Sequence, residues 1–364
     1  MTKKNIFFTS ILSIFSFLVF SCSRDIEKDI SSIKSTVKPT IDDSVSKKDD
    51  DKKSEQKEDK DNGTENTNNE SKIKRPFVFV WRVGADGSFS IPMNGQFIND
   101  YKFDLKWSRV DDPKIHGKIL KLDGTATKRY NELLYQKEIE GLPGAGEYIM
   151  EITGIFPAFR FGNSLTATKA DDIIEIRQWG DIEWETMEKA FSSCKNLRLT
   201  AEDAPNLSKV SDMSYMFYKA SSLNSSINHW DVSKITNMSH MFEKAKSFNQ
   251  PLDKWNVGNV TNMNNMFKEA ESFSQNIENW DVSKVTDMEG MFYAAQTFDE
   301  PLDKWNVSNV TNMSGMFEKA EIFNQSLNSW TINNKADLSR MFVGAGYFDK
   351  NNIIKWNISG KNMY

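Results

Sequence analysis

The chain has 364 residues, 12% of them aromatic, and a formal net charge of −5. Its length allows two or three domains at about 100–200 residues each, and without a basic excess it has nothing to neutralise the phosphates of a nucleic acid. Two cysteines, Cys22 and Cys194, exclude a disulfide framework and any Cys/His metal spacing.

At the N-terminus, Lys3 and Lys4 precede an apolar run, "IFFTSILSIFSFLVF", that ends in "SCS". A positive start, a run of this length and a small residue before the break predict a secretory signal over residues 1–21. The run falls short of the roughly 20 apolar residues of a membrane-spanning helix. "VFSC" resembles the lipobox of bacterial lipoproteins, which implies lipidation of Cys22 and a membrane anchor on the mature chain. Residues 22–75 mix both charge signs with Ser, Asn and Gly and hold few apolar residues. Such a stretch cannot offset its ordering entropy, so a disordered charged tether is expected.

From residue 76 the pattern changes. "PFVFVWRV" (Pro76–Val83), "GSFSIPM" (Gly87–Met93), "DYKFDLKW" (Asp100–Trp107) and "GEYIMEITG" (Gly146–Gly154) are β-branched and aromatic, with turn residues between them. Strands at this spacing predict a small all-β sandwich over 76–165. "PGAGEYIMEITG" resembles the closing strand of PKD-like (polycystic-kidney-disease-type, immunoglobulin-like) domains.

Then the chain repeats. Trp230, Trp255, Trp280, Trp305 and Trp330 fall 25 residues apart, and Met241-Phe242, Met266-Phe267, Met291-Phe292 and Met316-Phe317 keep the same interval. A fixed period in this range predicts a solenoid, here over 170–364. Met238, Met241, Phe242 and Ala245 stand at i, i+3, i+4 and i+7, which predicts a short helix capped by Thr236, with a capping box at Thr286 and Glu289. Leu252, Trp255 and Val257 follow L-x-x-L-x-L, a strand signature. Neither half can bury its apolar face alone, so neighbouring copies are expected to stack and hide the Trp and Met-Phe side chains. The fold class expected is therefore multi-domain: a disordered tether, an all-β sandwich and an α/β leucine-rich-repeat solenoid.

The repeats resemble the BspA-like leucine-rich-repeat lipoproteins, in particular the Trp-Asp-Val-Ser-x-Val-Thr-x-Met-x-x-Met-Phe type of bacterial surface proteins, from about Trp179 to Trp356. "IRQWGDIEWETMEKAFSSCKNL" resembles that family's lead-in. The resemblance implies a lipid-anchored cell-surface protein, adhesin-like and non-catalytic, whose partners are host or bacterial surface proteins or matrix.

Side chains that could carry chemistry read more simply as structure. The methionines at helical spacing read as core rather than soft-metal ligands. His229 and His240 occupy slots that hold Lys, Asn or Gly in other copies, so they read as surface decoration. Cys194 stands where later copies have alanine and reads as an inert buried thiol. Asp231, Asn256, Asp281 and Asn306 follow successive tryptophans. Half are amides, which favours turn-holding hydrogen bonds over a calcium ladder. No triad, phosphate loop or paired-carboxylate cleft stands out, so no catalytic residue, metal or cofactor is assigned. The expected binding residues lie on the exposed strand face between buried positions: His229, Asp231, Lys254, Asn256, Asn279, Asp281, Lys304 and Asn306. The alternative is glycan binding by the sandwich through Trp81 or Trp107, with the repeats as a stalk.

Overall fold

Phe77, Phe79, Trp81 and Val83 alternate along one strand, and all four are buried. Val80, on the opposite face, is buried as well, so the alternation that a strand imposes leaves only Val78 half-buried and Arg82 exposed. The strand is β1 (Phe77–Val83) in a computed structural model that describes residues 74–125, 128–129, 134–162, 167–356, 358 and 362–364. All of these lie in one compact unit, Glu70–Tyr364. The signal segment 1–21, Cys22 and the tether up to residue 73 lie outside the described residues.

Eight further strands follow: β2 (Phe89–Asn94), β3 (Lys102–Arg109), β4 (His116–Asp123), β5 (Lys128–Arg129), β6 (Leu134–Ile139), β7 (Gly146–Ile155), β8 (Ile173–Gln178) and β9 (Arg198–Leu199). One sheet runs β4-β3-β7-β1-β8-β9, and a second runs β2-β6-β5. The two meet where Trp81 of β1 packs on Phe89 of β2, ring centroids 5.8 Å apart. Tyr101 ties them further: its buried hydroxyl accepts from the Asn94 N–H at 2.8 Å and donates to the Ala158 carbonyl at 2.6 Å.

The boundary expected near residues 165–170 does not separate two sheets. β8 pairs antiparallel with β1, and β8 then pairs in parallel with β9. The larger sheet thus runs directly into the first copy of the repeat, and Phe77 packs on Trp179 and Trp184 in a shared core.

Beyond β9, neighbouring copies contact through isolated parallel bridges: Asp212–Asn237, Asn237–Asn262, Asn262–Asp287, Asp287–Asn312 and Asn312–Asp337. The expected α/β leucine-rich-repeat solenoid is therefore overturned. Among the described residues there is no α-helix, no closed sheet and no sheet wound along the repeats. Leu252, Trp255 and Val257 lie on irregular chain that flanks two turns, not on a strand.

The reason lies in the backbone of the Met-Phe segment. Met241, Glu243 and Ala245 donate their N–H groups three residues back, to Met238, His240 and Phe242. The alternate residues Met238, His240, Phe242 and Lys244 donate instead to Asn262, Asn264, Met266 and Lys268 of the next copy, at 2.8–3.0 Å. An α-helix would keep all of these within the segment. His240 and Lys244 have φ of 57° and 62°, and the same two slots are left-handed in each neighbour, for example Asn265 at 52° and Glu269 at 56°. A left-handed residue every fourth position makes a chain of turns that helix geometry forbids. The turns still point Met238, Met241, Phe242 and Ala245 inward, all fully buried. Thr236 caps no helix; its hydroxyl donates to the Ser211 carbonyl of the preceding copy, as Thr286 does to Thr261.

The interior is built of columns. Phe242, Phe267, Phe292, Phe317 and Phe342 stack at centroid spacings of 5.6–5.8 Å, and a second column holds Phe248, Phe273, Phe298, Phe323 and Phe348. Each such aromatic pair adds about 0.5–1.5 kcal/mol beyond area burial. At the C-terminal end Arg340 and Phe342 donate to Asn362 and Met363, and the Tyr364 ring covers Phe342.

Candidate functional site

Four buried side chains in each copy from Trp230 to Trp305 pin the loop that carries the exposed positions. In one copy these are Leu252, Trp255, Val257 and Val260. Trp255 N–H closes on the Leu252 carbonyl at 3.1 Å, and Val260 N–H on Val257 at 2.8 Å. Asp253, Lys254, Asn256 and Asn259 are thereby held outward and are exposed. His229, Asp231, Lys254, Asn256, Asn279, Asp281, Lys304 and Asn306 are all exposed and fall into rows 25 residues apart. They stand on turns and on the irregular chain between turns, which corrects the expectation of a strand face: each loop closes on itself, as in the bonds from Trp255 to Leu252 and from Val260 to Val257.

Half of this set has a structural duty. Asp231, Asn256, Asp281 and Asn306 each accept from the backbone N–H two residues on, at 3.0–3.2 Å. These are Asx turns. The Ser233 hydroxyl and N–H hold the Asp231 carboxyl below the usual carboxylate range, and Ser283 does the same for Asp281. Lys304 reaches Glu278 at 2.9 Å and Asn279 at 3.1 Å, and His229 Nε2 lies 3.4 Å from the Asp203 carbonyl.

The expected core residues Trp230, Trp255, Trp280, Trp305, Trp330, Met241, Phe242, Met266, Phe267, Met291, Phe292, Met316 and Phe317 are all buried. Trp81 is buried too and offers no platform for a sugar. Trp107 is half-buried against Tyr148 and Gly117. Cys194 is fully buried, and burial pushes its thiol up.

His240 differs from its reading as surface decoration. Its ring lies flat on Tyr215, centroids 4.2 Å apart and planes within 10°, while Nδ1 meets Glu243 Oε2 at 2.5 Å. Lys189 sits over the other part of this cluster, 5.2 Å from the Tyr215 ring. Glu243 is almost fully buried. Burial opposes its ionisation, but the His240 hydrogen bond and the charges of His240, Lys268 and Lys244 together hold its carboxyl below the usual range. The signal for this slot was present in His240, Asn265, Gly290 and Gly315, residue types that tolerate left-handed backbone.

A cleft of about 430 Å³ lies among Lys74, Phe97, Asp100, Ile155, Pro157, Asp181, Glu183, Glu185 and Lys209. Three of its four carboxylates are taken up: Lys209 bridges Glu183 and Glu185 at 3.0 and 3.1 Å, and Arg75 pairs with Asp181 at 3.0 Å. Among the described residues no group of three or more His, Cys, Asp or Glu side chains is placed to hold a metal ion.

A family model described as "Mycoplasma protein of unknown function, DUF285" matches residues 185–294 and again 272–364. The match supports a surface repeat protein family for the repeats. It covers no part of β1–β8 and carries neither the leucine-rich-repeat nor the PKD-like assignment. No curated protein and no solved structure matches the chain.

Proposed function

We propose that this chain is a non-catalytic bacterial surface protein, lipid-anchored through Cys22, whose stacked copies present a polar face to surface or matrix proteins. The observation that carries the reading is the arrangement of exposed side chains in rows 25 residues apart on a backbone bonded copy to copy. A rigid array of this kind loses little conformational entropy when a partner covers it, so many modest polar contacts can add up. The face comprises His229, Asp231, Lys254, Asn256, Asn279, Asp281, Lys304 and Asn306, and a protein or matrix partner fits its mix of charges and amides. The family match to the repeats supports the surface setting.

The test is capture of partners from host-cell and bacterial surface extracts, followed by direct binding of the captured protein in purified form. Reversing Lys254 and Lys304 to Glu is expected to reduce that binding at least tenfold. Undiminished binding would remove this face from the proposal.

A further inference from the structure

The net charge of −5 hides one basic edge. β4 ends the larger sheet and β5 ends the smaller one, and the chain passes directly from the first to the second. From His116 to Arg129 it carries Lys118, Lys121, Lys128 and Arg129 against Asp123 alone. Beside β4, β3 adds Lys102, Lys106 and Arg109 against Asp104, and Arg109 is taken up by Asp111 at 2.8 Å. Lys102, Lys106, Lys118 and Lys121 are exposed, and none of the four forms an ion pair among the described residues. Asp123 lies 3.9 Å from Lys137 instead. Lys118 stands directly opposite Lys106 in the β3–β4 register. Like charges placed so weaken a strand pair. Glu151 of β7 flanks Lys106 on its other side, which leaves Lys118 with no acidic neighbour across the ladder.

A bulge decides what else this edge shows. Leu122 lies opposite Phe103 and Ile119 opposite Leu105, so Leu120 and Lys121 share one partner, Asp104. Lys121 has a φ of 60°, and its N–H donates to the Asp104 carboxylate at 2.7 Å. The bulge interrupts the regular ladder, and Leu120 is left half-exposed between Lys118 and Lys121. Lysine on an edge strand is a common guard against pairing with another sheet. A bare leucine works against that guard. An aliphatic side chain set among cations is instead the composition of a surface that enters the headgroup region of an anionic bilayer.

We propose that the β4–β5 edge lies on an anionic lipid bilayer, with Lys118 and Lys121 at the phosphates and Leu120 at the acyl boundary. The charges of Lys128 and Arg129 add to the attraction. The inference rests on the lipid anchor proposed at Cys22 and names the contact that the anchored chain makes. A flexible tether holds the edge near its membrane at an effective concentration on the order of millimolar, so a contact too weak to form from solution is occupied. A lipid and a basic patch together hold a protein more firmly than either alone. A soluble polyanion would use the cations and leave Leu120 in water. An extended peptide would need the ladder that the bulge interrupts.

The test is hydrogen exchange of the full lipidated chain, reconstituted on phosphatidylcholine vesicles with and without phosphatidylglycerol. The amides of His116–Asp123 are expected to exchange at least fivefold more slowly on the anionic vesicles than on the neutral ones. The difference should vanish near 1 M salt, where the Debye length is about 3 Å. K118E/K121E is expected to abolish the slowing and L120S to remove at least half of it. Repeat amides that exchange as in the wild type show that these variants are folded. Equal exchange on both kinds of vesicle, or slowing that survives K118E/K121E, would overturn the proposal. Equal slowing by soluble polyphosphate on neutral vesicles would do the same, because the edge would then take free polyanions. A chain that leaves neutral vesicles refutes the anchor, and the edge is then judged by exchange with and without anionic vesicles. A chain that stays on both kinds with equal exchange refutes the edge contact and leaves the anchor standing.

Discussion

The indole Nε1 of Trp280 donates to the backbone carbonyl of Leu252, 28 residues earlier, at 3.0 Å. The same bond joins Trp255 to Ile227, Trp305 to Ile277, Trp330 to Leu302 and Trp356 to Leu327. Each tryptophan fills its own copy and satisfies a polar atom of the one before.

Replacing Trp280 with Phe keeps most of the buried area and strips the Leu252 carbonyl of a donor. That carbonyl keeps the Trp255 N–H, so the loss is that of one hydrogen bond, about 0.5–1.5 kcal/mol, while Trp280→Ala, which also opens a cavity, costs about 3–5 kcal/mol. Urea unfolding should rank wild type above Trp280→Phe above Trp280→Ala. Equal midpoints for wild type and Trp280→Phe would show that the bond contributes nothing net.

The left-handed slot makes an asymmetric prediction. Asn265 at φ 52° and Gly290 at φ 55° occupy the same place in successive copies. Asn265→Gly should change stability by less than about 1 kcal/mol, since Gly accepts this backbone at an entropic cost in the unfolded chain. Gly290→Val should cost more than about 2 kcal/mol, because a β-branched residue is strained there and its Cβ would meet Asn265 Oδ1 at 2.5 Å. Thermal unfolding of the two variants decides it.

Acidification should act through Glu243. Its carboxyl titrates below the usual range in the folded chain, so the folded state binds that proton less readily than the unfolded state. The stabilisation is present above the unfolded carboxyl pKa and is lost as pH falls through the lowered folded value. Glu243→Gln should therefore be less stable than wild type at neutral pH, with the gap closing in acid. Denaturant midpoints between neutral pH and about pH 3 measure it, the lower limit lying below the unfolded Glu value. A gap that stays constant would show that this pair does not set the acid limb.

Two thiols should behave oppositely. Labelling of expressing cells with radioactive palmitate should mark the chain, and Cys22→Ser should abolish the label. In the Cys22→Ser chain, Cys194 should stay silent to a thiol reagent until denaturant is added, because it is fully buried and its thiol is pushed up by that burial. Native reactivity would mean that the first copies open readily.

Periodicity showed which side chains lie inside and misjudged the backbone that puts them there. Met238, Met241, Phe242 and Ala245 suit one face of a helix, and they equally suit a run of turns with a four-residue step. Side-chain spacing cannot separate the two. Backbone tolerance can: Asn265, Gly290 and Gly315 in one slot point away from a helix interior. The four strands anticipated before residue 155 are present, because alternating aromatics carry a local signal. The place of β8 was hidden, since its partner β1 lies about 95 residues upstream and nothing in Ile173–Gln178 names it. The exposed rows were legible as slots between buried ones. The stacked pair of Tyr215 and His240 was not, because it joins different copies.

Internal copies offer the same N–H donors to one side and the same carbonyls to the other. A deletion or duplication of 25 residues between Trp230 and Trp330 would thus leave matched surfaces at both cut ends, with β8–β9 still starting the column and Tyr364 still closing it. Near-identical coding units in tandem are prone to unequal recombination. The length of the stack is therefore a quantity that can vary in whole steps, with no new fold to be found at each one.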